Sequence, residues 1–278
     1  MRVRLIGLER PVGQIGSTAP ETANPRLDQS SLGLTVCSCH ILLGRVRLRG
    51  AHWVAPMSLT VQQIAALTKA VKDYDYPRAL FDFRSHEEMC FPTMRELEGN
   101  VHSCLLSEDL ARVKDGLSNI LYWGNVRAGY CWHRVGKFRD QVDFGQLREA
   151  RDVFSEITGP GLRRLKTLGL PGFSNMSFLS KLRMFLNPRR YVALDLKLTE
   201  LSAVGSKNPL SAVKRQKTYI PVSRSNELVY EGWCAWCQRI AGTHFCGGEV
   251  YAADIERAVF WLADCGALDQ AAAILADA

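Results

Sequence analysis

One acid in this chain stands out by its company. Asp195 sits between Leu194 and Leu196, at the end of an extended apolar connector that follows Asn187 and Pro188. A lone carboxylate among apolar neighbours either caps the next helix or is held for chemistry. Held for chemistry, it stabilises developing positive charge or orients and deprotonates a water. Lys181 lies 14 positions upstream (195 − 181) and is a second candidate catalytic group. Its amine would need burial or a neighbouring cation such as Arg183 before it could attack. The expected place for Lys181 is instead a solvated or phosphate-contacting helix face.

The segment that must position these groups runs from Leu162 to about residue 187 and reads as helix, tight turn, helix. Leu162, Leu165 and Leu168 form the apolar side of the first helix, and Phe178, Leu179, Leu182, Phe185 and Leu186 that of the second. Gly169 and Gly172 permit turn conformations that other residues resist, and Ser174 is the expected N-cap of the second helix. Such a turn presents backbone N–H groups that can hold a DNA phosphate without reading sequence. Lys166, with Arg163 and Arg164, adds positive charge. An ordinary antiparallel helix pair would carry the same pattern.

The combination of Leu170-Pro171-Gly172 with Asp195, 23 positions after Gly172 (195 − 172), resembles the helix-hairpin-helix DNA glycosylases, in particular their 8-oxoguanine-type branch. The likeness covers roughly residues 115–200. It implies an all-α protein of two helical lobes around a cleft, with a domain over 57–278 that flips a modified base from double-stranded DNA. Asp195 would be the catalytic carboxylate. Two positions depart from the family pattern: Ser174 replaces the last hairpin glycine, and Met176 stands where bifunctional members carry a Schiff-base lysine. The second departure implies a monofunctional enzyme that hydrolyses the N-glycosidic bond and leaves an abasic site. The resemblance further assigns Asn125 to fill the gap left by the flipped base and Arg127 to bond the orphaned partner. Trp123, expected first as a core residue, joins Phe260 and Trp261 as base-pocket candidates. Asp254 and Glu256 read as N-terminal helix acids, stabilised by the macrodipole.

Composition is compatible with this reading. The chain has 278 residues, 47% hydrophobic, with a net charge of +7, which suits a polyanionic partner. Seven arginines against three acids place +4 of that charge in residues 1–56. This stretch, rich in small residues and proline, reads as a poorly ordered or accessory tail. Thr60, with Gln63 three residues on, reads as a helix cap, so the folded domain is expected to begin near Met57, itself a candidate translation start. Helical periodicity dominates thereafter, best at Leu228–Ala241 and Ala252–Ala263. Nine cysteines and no secretory signal suit reduced thiols in a bacterial-type cytoplasm. No apolar run is long enough to span a membrane. Cys234, Cys237, His244 and Cys246 lack the spacing of a zinc or iron–sulfur site, so no metal or cofactor is expected, and the protein is expected to be a monomer.

The substrate expectation leans to hypermodified cytosine, such as glucosylated hydroxymethylcytosine in phage DNA, because Met176 replaces the repair enzymes' lysine. An oxidised purine in genome repair is the alternative, and a noncatalytic helix-hairpin-helix DNA-binding module is the other. Pocket volume separates the two bases, since a base bearing a sugar needs a wide opening.

Overall fold

Helical periodicity is realised as ten α-helices in the computed structural model, which describes residues 59–156, 159–203, 208–245 and 247–277. The expectations for residues 1–56 and for Met57 lie outside these described residues. The helices are α1 (Val61–Asp73), α2 (Met94–Leu105), α3 (Leu110–Asn125), α4 (Cys131–Gln141), α5 (Phe144–Phe154), α6 (Leu162–Thr167), α7 (Met176–Leu186), α8 (Arg224–His244), α9 (Ala252–Asp264) and α10 (Leu268–Asp277). A 3-10 segment, Lys197–Ala203, follows the connector that carries Asp195. The expected cap of α1 is present as a reciprocal box: Gln63 N–H donates to Thr60 Oγ1 at 3.2 Å, and Thr60 N–H donates to Gln63 Oε1 at 2.8 Å.

One feature modifies the sequence expectation. An antiparallel hairpin, β1 (Ala79–Asp82) and β2 (Glu87–Cys90), interrupts the helices, with Leu80 opposite Met89. Strands of four residues are too short to declare an alternating pattern, so their sequence is silent. Asn119 of α3 anchors the hairpin, accepting from Phe81 N–H at 2.8 Å and donating to Phe81 C=O at 3.1 Å. The described residues from Leu59 onward belong to one compact unit.

The centre of that unit is α7. Every residue of α7 except Ser177 is buried, and a helix apolar on nearly all sides has to sit inside the core. It packs against α2, α3 and α6. Two cations ride in with it, Lys181 and Arg183. A buried cation without a partner costs several kcal/mol, and each finds one: Lys181 bonds Asp195, and Arg183 bonds Glu231. A second buried charge cluster joins α2 to α9, where Arg257 bonds Glu98 and Arg95 bonds Asp254 at 2.6 Å.

Candidate active site

The hairpin forms as the sequence suggests, with α6, a turn holding Gly169 (φ 62°) and Gly172 (φ 82°), and then α7. Gly172 is needed twice over: its φ lies in the left-handed region, and a Cβ there would come within 3.3 Å of the Leu121 side chain. The N-cap of α7 is Asn175 rather than Ser174, its side chain accepting from Phe178 N–H at 3.2 Å. Ser174 stands one residue outside the helix and remains exposed. Beside the turn lies a groove of about 530 Å³ lined by Gly172, Ser174 and Asn175 and, from α4, by Tyr130, His133, Arg134, Lys137 and Phe138. Among the described residues, no carboxylate lies within ion-pair distance of His133, Arg134 or Lys137. The cations expected from sequence are placed otherwise. Arg163 pairs with Glu227 at 2.5 Å, Arg164 lies near Glu149 and Glu156, and Lys166 is exposed outside the groove lining.

The connector after α7 is braced from three helices. Ser180 Oγ of α7 accepts the Leu194 N–H at 2.8 Å. From α8, the Tyr230 hydroxyl donates to Val192 C=O at 3.0 Å and the Trp233 indole N–H to Ala193 C=O at 3.1 Å. From α9, the Glu256 carboxyl accepts the Ala193 N–H. Backbone polar groups of a buried connector must be satisfied in this way, and the result fixes where Asp195 points.

Asp195 faces a cavity of about 50 Å³ walled by Tyr74, Tyr76, Trp123, Gly124, Lys181, Ala193, Glu256 and Phe260. Its side chain keeps 33% of its surface open. Burial alone would push the Asp195 carboxyl up. The Lys181 ammonium, with the N–H groups of Lys197 and Leu196, outweighs it and holds the group below the ordinary carboxylate range. Asp195 is therefore an anion at neutral pH. Lys181 is not the solvated side chain expected from sequence: its side chain is 8% exposed and its ammonium bonds Asp195. Met176, at the position of the family lysine, is buried in the core.

Glu256 is the group that sequence reasoning misses. Near the N-terminal end of α9 it is nonetheless only 4% exposed, because Ala253 N–H donates to Pro188 C=O at 3.1 Å and this tucks the start of α9 against the connector. Burial raises the Glu256 carboxyl to about 8. The Arg257 and Lys181 charges pull down against this, the Asp195 charge pushes up, and the Ala193 N–H pulls down. The site thus holds a carboxylate, an ammonium and a neutral carboxylic acid around one cavity.

Aromatic rings complete it. Tyr76 donates to Trp123 C=O at 2.9 Å and meets the Trp123 ring edge-on at 5.0 Å. Trp123 and Phe260 line the cavity as expected, whereas Trp261 lies outside the lining and packs edge-on against Tyr74 at 6.2 Å. Tyr74 and Tyr76 join the wall without a sequence expectation behind them, although the Tyr-Asp-Tyr-Pro run following α1 is a legible aromatic cluster. Burial pushes the Tyr76 hydroxyl up to about 12, helped by the Asp195 charge, so it stays a neutral donor.

Two expected DNA contacts are placed differently. Asn125 is buried, and its amide donates to Leu121 C=O at 2.7 Å within α3, so it cannot fill a gap in a base stack. Helix α3 continues through residue 125 and turns that side chain onto its own backbone. Arg127 stacks over Tyr76 at 4.9 Å, donates to Asp75 C=O and lies 3.9 Å from Asp264, which ties it to the cavity rim. Cys234 and Cys237 are buried in α8, where burial pushes the Cys234 thiol up to about 12 and Cys237 well above its ordinary value. Cys246 lies outside the described residues.

Groove and cavity are neighbours. The Phe178 ring has the Arg134 guanidinium at 5.5 Å and the Lys181 ammonium at 5.4 Å, so one side chain separates the groove cations from the buried pair. The groove offers cations beside the hairpin turn, and the adjoining ring-walled cavity carries one anionic and one neutral carboxyl group. Among the described residues no helix is long and apolar enough to cross a membrane. Comparison with protein-family models, with curated proteins and with solved structures finds no match for this chain.

Proposed function

We propose that this chain is a DNA glycosylase that takes a flipped nucleotide between the Asp195 carboxylate and the aromatic wall and hydrolyses its N-glycosidic bond. The observation that carries the reading is the position of Asp195. It is held ionised by Lys181 at a ring-walled cavity, one side chain away from a groove of unpaired cations beside the hairpin. Cleavage at C1′ builds positive charge on the sugar, and a fixed carboxylate stabilises it and takes a proton from the attacking water. Flipping costs a few kcal/mol, which phosphate contacts in the groove and stacking in the cavity offset.

The cavity bears on the substrate. A space of about 50 Å³ holds solvent rather than a base, so a base is admitted only if the partly exposed Phe260 and its neighbours move aside. A base of ordinary size asks least of them, and one carrying a hexose asks most. The cavity therefore favours an oxidised or otherwise compact base in repair over the glucosylated cytosine expected from sequence.

A second reading concerns the nucleophile, and one observation favours it: the Lys181 amine sits in the cavity beside Asp195. With Asp195 accepting its proton, Lys181 could attack C1′ in place of water, and the enzyme would nick as well as excise. The test incubates the protein with duplexes carrying uracil, 8-oxoguanine, mismatched adenine or phage-modified cytosine, with and without borohydride. Abasic sites lost in Asp195→Asn at undiminished DNA affinity support the proposal. A borohydride-trapped protein–DNA adduct abolished by Lys181→Met selects the amine. No product from any duplex refutes both.

A further inference from the structure

Glu256 is left without a task by hydrolysis through Asp195 and water. Building on the glycosylase reading, we propose that Glu256 is the acid that protonates the departing base, so that the site is built for neutral nucleobases rather than for bases already cationic. Glu256 lines the same cavity as Asp195 and Lys181, but from the opposite element, α9 as against the connector and α7. It is only 4% exposed, so its proton can go only to what the cavity holds. Among the charged groups around it, one ammonium, Lys181, is already bonded to Asp195, and the Arg257 guanidinium is bonded to Glu98 and Asp254. Both neighbouring cations are in direct contact with other carboxylates, and for a residue only 4% exposed the acid form is the one that fits.

The chemistry is complementary. A neutral base leaves poorly because the electron pair of the broken bond makes it an anion, and a proton delivered during departure removes that penalty. In the step proposed, the C1′–N bond breaks with its pair passing into the base. The base takes the Glu256 proton on a ring nitrogen, water adds its oxygen to C1′, and the water's proton goes to Asp195. When the base leaves, Asp195 returns its proton to solvent and Glu256 regains one. A base alkylated to a cation needs no such donor.

The groups facing Glu256 come from every neighbouring element: Tyr74 beyond α1, Lys181 on α7, Asp195 in the connector, Cys237 on α8 and Arg257 on α9. Burial places the Tyr74 hydroxyl and the Cys237 thiol far above the range in which Glu256 titrates. The experiment measures single-turnover release of a neutral base and of N7-methylguanine by wild type and Glu256→Gln from about pH 5.5 to about pH 9.5. On the neutral base, the wild-type rate should fall above about pH 8. Glu256→Gln should be on the order of 100-fold slower at neutral pH, without that descending limb. Release of N7-methylguanine should change by less than about threefold. A wild-type rate on the neutral base that does not decline with pH overturns the proposal without any variant having to fold. So does a Glu256→Gln protein that matches wild type on the neutral base or loses both activities equally. A wild type inactive on every duplex overturns the parent reading, and this one with it.

Discussion

Replacing Glu256 by glutamine should change how stability depends on pH, in a direction fixed by the structure. In the unfolded chain this carboxyl titrates near 4.5, and burial in the fold raises it to about 8. Between those values the folded protein holds a proton that the unfolded chain has released. Unfolding free energy therefore falls as pH rises, by about 1.4 kcal/mol per pH unit, and levels off above about pH 8. Across the whole window the loss approaches about 5 kcal/mol, and between about pH 5.5 and about pH 8.5 it is about 3 kcal/mol. A glutamine side chain has no such proton to lose and nearly the same shape. Urea unfolding of both proteins through that range, with wild-type values subtracted from the variant's, cancels the other titrating groups. The difference should grow in favour of Glu256→Gln by about 3 kcal/mol from the acid end to the alkaline end. A difference flat to within about 0.5 kcal/mol would mean that Glu256 is ionised throughout, and the account of a neutral acid in the cavity would be wrong.

Other substitutions test the supports of the site. Arg134→Ala and Lys137→Ala should each lower the salt dependence of DNA binding by about one released counterion, read as the slope of log affinity against log salt; unchanged slopes would remove the groove from the DNA interface. Asn175→Ala deletes the cap of α7 and should cost about 1 kcal/mol in urea unfolding, whereas Ser174→Ala should cost close to nothing. Tyr230→Phe keeps ring volume but strands the buried Val192 C=O, so stability should drop by about 1–3 kcal/mol. Under the proposed glycosylase function, the rate of base release should fall further than DNA affinity, because the connector aims Asp195; equal losses in both would count against that positioning role.

The parts legible in sequence are those where local rules and tertiary demands agree. Helices α8 and α9 carry long periodic stretches with clear breaks, and the hairpin glycines mark their own turn. Asp195 is legible because an acid between two leucines is unusual enough to require a reason. Lys181 departs from its expected place because that expectation gives α7 a solvent face. With all but one of its residues buried it has none, and a lysine inside such a helix can only turn to a carboxylate. The groove is invisible in sequence for a related cause. His133, Arg134 and Lys137 look like any polar face of a short helix, and become a site only because the hairpin turn lies alongside.

Glu256 shows the deeper limit. A glutamate near the N-terminal end of a helix suggests a dipole-stabilised surface acid, and nothing local contradicts that. What contradicts it is the Ala253 to Pro188 bond, which closes the start of α9 onto a connector 65 positions upstream (253 − 188). Once inside, Glu256 and Asp195 compete for one ammonium. Lys181 can stabilise one carboxylate by direct contact, and Asp195, with a third of its surface still open, has less hydration to give up than Glu256, which has almost none left. The charge therefore settles on Asp195 and the proton on Glu256. Two residues of the same chemistry are driven into opposite states by burial and by one shared cation, and an acid and a base facing one cavity at neutral pH is the pair that would serve the release of an uncharged base, which otherwise departs as an anion.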